Sequence, residues 1–300
     1  MNADVYVMGK LPPPVGGVTK SIANWRDALA SVGVNCVFWP SQPRLRGYRW
    51  CHVHAYHPYK RALSLLIGKC LARRNVFTIH GMHFDQEDRW NRMALWLCDG
   101  VFVLNQHVLA NSPRLKAKPH LLTSSVLREG ITSAPIPAQP LLPPSSKPYA
   151  LVYAQHSDSF EGDPIYGIPF VESCLERLRE DYTLVLADVT NAYAELDERW
   201  GDALVRLDKP VDFAQLLSEV AVYLRPTCKD GDSVAVIEAL MAGVPVVASD
   251  VVQRPAGVIT YRHLDGESFL AALKNLPEGV AGSHDSLTSV EDVIRFLESL

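Results

Sequence analysis

No apolar run in this chain reaches the roughly 18 residues that a membrane-crossing helix needs, so no such helix is expected. The opening stretch, MNADVYVMGK, lacks a basic region followed by an apolar one and does not read as a signal peptide. Six cysteines stand apart, at 36, 51, 70, 98, 174 and 228, with no Cys-x-x-Cys pair. That spacing argues against a disulfide framework or a zinc site and for reduced thiols in the cytoplasm. Gly-x-Gly-x-x-Gly is missing, which removes the dinucleotide fingerprint. Gly-x4-Gly-Lys-Ser/Thr is missing too, which removes the P-loop.

What is present is enough apolar material for sizeable cores. Of 300 residues, 48% are hydrophobic and 21% charged, and the length allows about two domains. The net charge of −4 hides an asymmetry: residues 1–125 carry 16 Lys and Arg against 6 Asp and Glu, and the rest carry 13 against 27. Two halves of opposite charge suggest different partners, or attraction to each other. Five prolines in residues 136–148 forbid regular structure and read as a semi-rigid linker. On either side, short apolar runs alternate with amphipathic segments, which marks parallel sheets with crossover helices. Strands are expected at 4–8, 34–39, 51–55, 75–80, 100–104 and 120–124. A second set is expected at 149–154, 182–187, 203–207, 221–225, 244–248 and 257–261. Helices are expected between them, for example at 18–31, 58–72, 168–179, 213–219, 233–242 and 266–275. The domain boundaries follow as 1–135, a linker at 136–148, 149–284, and a C-terminal helix at 285–300.

Residues 230–250, DGDSVAVIEALMAGVPVVASD, carry the most chemistry. They read as a loop, a short helix, a glycine stop and a buried strand. Ser233 stands where its hydroxyl can accept from an amide of the first turn. Gly243 ends the helix and Pro245 prevents its resumption. Free amides at such a helix start, near Ser233 and Val234, suit an anion such as a diphosphate. Asp230 sits just before that start and Glu238 more than a turn inside it. Two carboxylates beside a phosphate cradle suggest a ligand with both phosphates and hydroxyls, such as a nucleotide sugar.

This string resembles the E-x7-E signature of the family 4 retaining glycosyltransferases, with Asp230 in the first acidic place and Glu238 in the second. The resemblance runs from Leu224-Arg225-Pro226-Thr227 through Ala248-Ser249-Asp250 and, more weakly, along most of the chain. It implies an α/β GT-B fold, two doubly wound, Rossmann-like domains facing a cleft. It also implies sugar transfer from a nucleotide-sugar donor to a glycan or lipid-linked acceptor, in the making of polysaccharide or surface glycans. Glu238 would hold the donor ribose and Asp230 would contact the transferred sugar. The loop Pro12-Pro13-Pro14-Val15-Gly16-Gly17-Val18 resembles the family's glycine loop, which puts Gly16 and Gly17 over the phosphates. The histidine after Val76-Phe77-Thr78-Ile79 matches one in the family that flanks the reacting centre, which gives that place to His80.

The other histidines are read more plainly. His52-Val53-His54 ends a candidate strand, and the reading for His54 is a satisfied buried histidine. Strand alternation leaves these histidines no fixed carboxylate partner, so no metal is expected. No cofactor and no nucleic-acid partner are expected either.

One departure from the family pattern matters. Members usually place an Arg and a Lys early in the C-terminal domain against the diphosphate. Here Tyr166-Gly167 stands where Lys-Gly is expected, and no Lys or Arg occurs from 149 to 176. A leaving diphosphate still needs positive charge. The substitutes visible in sequence are the amides after Ser233, those of Gly16-Gly17, and Lys20. The departure keeps a second reading open, a catalytically silent GT-B subunit that binds a nucleotide sugar or a partner enzyme. A third reading is a sugar-nucleotide epimerase on the same fold. Residues 58–74 mix a leucine stripe with five cations. That fits either a helix packed on the sheet or contact with an anionic membrane surface, so localisation is read as cytoplasmic with a possible peripheral place at the inner face.

Overall fold

The computed structural model describes residues 4–13, 16–41, 43–131, 139–277 and 287–300. The chain divides into two compact units. The first is Met1–Thr132 with Gly231–Val234 and Leu287–Leu300; the second is Ser133–Asp230 with Ala235–Ser286. Residues 132–138, which hold the expected boundary and the start of the linker, lie outside the described residues, as do 284–286 at the expected start of the C-terminal helix.

In the first unit the chain runs β1 (Val5–Met8), α1 (Gly17–Ser31), β2 (Cys36–Phe38), β3 (Tyr48–Val53), α2 (Pro58–Leu71), β4 (Ala72–Ile79), α3 (Arg89–Leu97), β5 (Gly100–Val103), α4 (Gln106–Ala110), α5 (Pro113–Lys116) and β6 (His120–Leu122). All six strands pair in parallel, in the order β2-β1-β3-β4-β5-β6. Their side chains are apolar on both faces because crossover helices cover both. Tyr6, Cys51, Phe77 and Val101 pack toward α2 and α3. Val5, Val7, Trp50 and Phe102 pack on the other side with Trp25 of α1.

The second unit runs β7 (Tyr149–Ala154), a small hairpin of β8 (Ser159–Phe160) and β9 (Asp163–Pro164), α6 (Ile168–Ser173), α7 (Leu175–Asp181), β10 (Thr183–Asp188), α8 (Leu196–Trp200), β11 (Leu204–Leu207), α9 (Phe213–Leu217), β12 (Val222–Arg225), α10 (Val234–Met241), β13 (Val246–Ser249), β14 (Val258–Tyr261) and α11 (Gly266–Lys274). Its six parallel strands take the order β11-β10-β7-β12-β13-β14. Counted from β7, this is 3-2-1-4-5-6, the doubly wound order of nucleotide-binding sheets. Both sheets are therefore the parallel α/β architecture expected from sequence.

Element ends shift by a few residues at several places, β3 (expected at 51–55) and β4 (expected at 75–80) each starting three residues early, and three further differences have a local cause. The helix expected over 168–179 breaks in two at Cys174, whose amide bonds to the Val171 carbonyl three residues back. The strand expected to start at 244 starts at 246, because the Val244 amide closes α10 by bonding to Ala239 O. The β8–β9 hairpin turns at Glu161-Gly162, with φ of +54° and +98°, the left-handed pair that a tight hairpin needs.

The last helix, α12 (Val290–Ser299), belongs to the first unit. Ser289 caps it by accepting from the Asp292 amide. Val290, Val293 and Leu297 pack with Val5, Val7 and Phe102. Trp50 donates through Nε1 to the Leu297 carbonyl at 3.2 Å. Gly100 admits this helix, since a Cβ there would stand 2.8 Å from Leu300. Leu297→Ala should therefore cost about 2–5 kcal/mol, the range for a buried leucine truncation. Urea denaturation would measure it, and an unchanged midpoint would mean that α12 does not cover the sheet.

Candidate functional site

In an open parallel sheet, ligands bind outside the carboxyl ends of the strands, where the strand order reverses. In the second unit that point lies at β7 and β12. Arg225 is the last residue of β12. Its guanidinium grips Asp230 with two parallel bonds, Nε to Oδ2 and Nη2 to Oδ1, both 2.9 Å. Arg254, beyond β13, donates from Nη1 to Asp230 Oδ2 at 2.6 Å. The Thr227 hydroxyl donates to the same oxygen at 3.4 Å. Burial raises the Asp230 pKa, but the two arginines outweigh it and hold the carboxyl down at about 2. The stability this pairing gives is therefore present above the ordinary carboxylate value and lost as pH falls toward 2.

Asp230 is thus a buried carboxylate shared by two arginines. Neither arginine was expected to meet Asp230. Each precedes a proline, at 225–226 and 254–255, just beyond or at the end of a strand. That repeated Arg-Pro pair was the available signal.

Tyr166 explains the missing lysine in physical terms. Its ring is buried, and the Arg225 guanidinium lies over it, 5.7 Å from the centroid. Gly167 follows with φ +61°, and a Cβ there would stand 1.9 Å from the Pro226 carbonyl. Only glycine fits this close to Pro226, which follows β12. A lysine at 166 would lie beside Arg225 and repel it.

α10 starts at Val234, directly after Ser233, and ends before Gly243, whose φ is +74°. Glu238 is half-buried, one turn inside this helix. Burial, then Tyr166 and Tyr223, push the Tyr153 hydroxyl up to about 12, and the Glu238 charge adds to that rise.

In the first unit the strand order reverses at β1 and β3. The loop after β1 leads to Gly16, which precedes α1 in an extended conformation, φ −166°. The Gly16 amide donates to Thr19 Oγ1 at 3.0 Å. Neither Gly16 nor Gly17 takes a left-handed backbone. A Cβ at Gly17 would meet no atom within 4 Å, so the space outside this helix start is open in its own unit. Gly9 is the tight glycine here, because a Cβ there would stand 3.2 Å from the Cβ of His54.

Three histidines gather beside it. His52 shares a 2.7 Å hydrogen bond with Thr78 Oγ1. His54 Nδ1 lies 2.9 Å from His80 Nε2. Burial drives all three toward the neutral form. It lowers His52 to about 3 and His54 well below its ordinary value, and the neighbouring histidines push the same way. His80 falls to about 4, through burial and then the charge of Arg61. At neutral pH these are uncharged imidazoles that donate and accept hydrogen bonds. Among the described residues no group of three His, Cys, Asp or Glu is arranged to hold a metal ion.

α2 lies against the sheet. Its Arg61 is buried, donating to the carbonyls of Ala55 and Tyr56 and to Asn91 Oδ1. Lys69 and Arg74 pair with Asp99. Tyr59, Leu63 and Leu66 face outward. Among the described residues no helix is long and apolar enough to cross a membrane.

Residues 167–287 match the family model for glycosyl transferases group 1, which agrees with the resemblance read from the Asp230–Glu238 string. The fold is that of solved GT-B glycosyltransferases. HepE from Anabaena in complex with UDP is 14% identical with a TM-score of 0.67, covering 99% of each chain. Sucrose-phosphate synthase from Thermosynechococcus elongatus is 15% identical with a TM-score of 0.63, covering 99% of this chain and 94% of that one. The catalytic domain of starch synthase IV from Arabidopsis thaliana, bound to ADP and acarbose, is 12% identical with a TM-score of 0.62, covering 98% and 94%. Among curated proteins, none matches the chain in sequence.

The neutral histidines give a signed pH prediction. Each is protonated near 6.5 in the unfolded chain, but when folded His52 is protonated only near 3, His80 only near 4, and His54 well below its ordinary value. Below about 6.5 the unfolded state binds more protons, so stability falls as pH drops from 6.5 toward 4. The slope is about 1.4 kcal/mol per pH unit for each such histidine. His52→Gln should flatten that decline by one proton. Denaturant titrations at pH 5 and pH 7 would measure it, and equal slopes in parent and variant would refute a neutral His52.

Proposed function

We propose that this protein is a retaining glycosyltransferase that moves a sugar from a nucleotide-sugar donor to a glycan or lipid-linked acceptor in glycan synthesis. The observation that carries this reading lies in the second unit. At the reversal point of a 3-2-1-4-5-6 sheet, an arginine-held Asp230 precedes the start of α10, and Glu238 follows inside it. Cations, helix amides and a carboxylate at one strand edge suit a ligand with phosphates and hydroxyls. Structural relatives bound to UDP, UDP-glucose or ADP support a nucleotide-sugar donor.

In this reading Glu238 accepts from the donor ribose hydroxyls. The amides at Ser233 and Val234, with those of Gly16 and Gly17, receive the phosphates. His80, being neutral, hydrogen-bonds a hydroxyl of the transferred sugar without adding charge near the anomeric carbon. The exposed stripe of Tyr59, Leu63 and Leu66 on α2 favours a membrane surface as the place where a lipid-linked acceptor is met. No metal or cofactor is assigned a role.

A screen of nucleotide sugars for binding and for slow hydrolysis tests the reading. Binding with hydrolysis supports a transferase. Binding without turnover toward any acceptor favours the silent subunit instead. Glu238→Ala should weaken nucleotide binding by about 1.5–3 kcal/mol, the scale of charged hydrogen bonds. Unchanged calorimetric affinity in a folded variant would remove the ribose assignment. His80→Ala should lower turnover by about two orders of magnitude with nucleotide affinity nearly intact. Gly17→Val separates fold from site. A side chain there enters open space, so stability should change by no more than about 0.5 kcal/mol while nucleotide affinity falls.

A further inference from the structure

We propose that Arg225 is the side chain through which this protein holds the diphosphate of its donor, and that Asp230 is the residue that positions it. This rests on the nucleotide-sugar reading above and replaces a sugar-contacting role for Asp230.

The two arginines on Asp230 are not equivalent. Arg254 is a tether: its side chain is 3% exposed. Its nitrogens donate to Ser249 O, Asp230 Oδ2, Thr227 Oγ1 and Ser249 Oγ. Arg225 is 12% exposed. It donates twice to Asp230 and once, at 3.4 Å, to the Tyr223 hydroxyl. A guanidinium has five N–H donors in a rigid fork, so part of this one has no acceptor among the described residues. Two arginines against one aspartate also leave the cluster with a net charge of about +1.

The position fits an anion. Arg225 ends the strand at which the sheet order reverses, where doubly wound sheets bind their ligands. It is held from two sides, by the Asp230 carboxylate and by the Tyr166 ring. A fork fixed in this way loses little freedom when it meets a phosphate, and arginine matches phosphate oxygens in pairs. The stretch from 149 to 176 holds no Lys or Arg, so the charge that a leaving diphosphate needs has to come from elsewhere in the chain. Arg225 supplies it from the next strand, above the tyrosine that occupies the expected lysine place.

The test compares nucleoside diphosphates with their nucleosides. UDP, ADP, GDP and dTDP are titrated into the parent by calorimetry, each beside its nucleoside, and the tightest pair is kept. Arg225→Ala should weaken the diphosphate by roughly 10- to 100-fold, the scale of a charged hydrogen bond, and leave the nucleoside unchanged. The salt dependence of diphosphate binding should shrink with it. Arg225→Lys keeps the charge but not the fork, so it should fall between the two. Thermal melting checks folding, and if Arg225→Ala does not fold, Arg225→Lys carries the comparison. Asp230→Asn leaves both guanidinium charges but removes the anchor. It should weaken the diphosphate even though the cluster becomes more positive, and a gain in affinity would overturn the positioning role. A parent that binds diphosphate, with Arg225 variants that keep the same diphosphate-to-nucleoside ratio, overturns this proposal alone. A parent that binds no nucleotide overturns the nucleotide-sugar reading and this proposal with it.

Discussion

The carboxyl edge of the second sheet is organised by one buried carboxylate shared between two guanidinium groups. Arg225 comes from the end of β12, Arg254 from the loop after β13, and Asp230 from the loop that leads into α10. Joining them fixes the spacing between two adjacent strand ends and the helix that follows. Ser249 and Thr227 extend the network, since Ser249 Oγ donates to the Thr227 carbonyl at 2.6 Å. Gly167 against Pro226 closes the other side. Each contact depends on the others, because removing one partner of a buried charge leaves the rest unpaired.

Stability alone is a weak reason for such a network. Taking three charged groups out of water costs several kcal/mol each, and well-packed apolar residues often serve as well. The charge count also fails to cancel, as two cations meet one anion. An uncancelled cation at a strand edge makes more sense as one side of an interaction that a ligand completes. The first unit solves the opposite problem. Its histidine cluster is kept uncharged by burial, with the neighbouring imidazoles and Arg61 pushing the same way. One unit therefore presents directed positive charge and the other presents neutral donors and acceptors, which are different chemical tools on the same type of sheet.

Much of the fold was legible in the sequence because parallel strands buried on both faces leave continuous apolar runs. Val246-Val247-Ala248 and Val101-Phe102-Val103 are of this kind, as are the other expected strands. The misses have local causes. Cys174 breaks a helix through a three-residue hydrogen bond that no composition signal marks. Glu161-Gly162 makes a hairpin too short to show a period. Of the site, the helix start at Ser233, the stop at Gly243 and the place of Glu238 were readable because caps and punctuation are local chemistry. The partners of Asp230 were not, since Arg254 is 24 residues away and meets it only through strand pairing.

A family pattern carried over by residue type alone does not show which groups each residue meets. An acidic residue in the first place of the signature implied a carboxylate facing a sugar, and a tyrosine in the lysine place implied lost charge. In the structure the two departures meet on the same arginine, Arg225. The tyrosine gives up the charge but provides a face on which an arginine from the next strand can rest. The shorter aspartate reaches that arginine across the turn of Pro226 and Thr227 and fixes its orientation. Positive charge at the strand edge is the physical requirement, and the sheet can meet it from β12 as well as from the loop after β7, because parallel pairing brings both carboxyl ends to the same place.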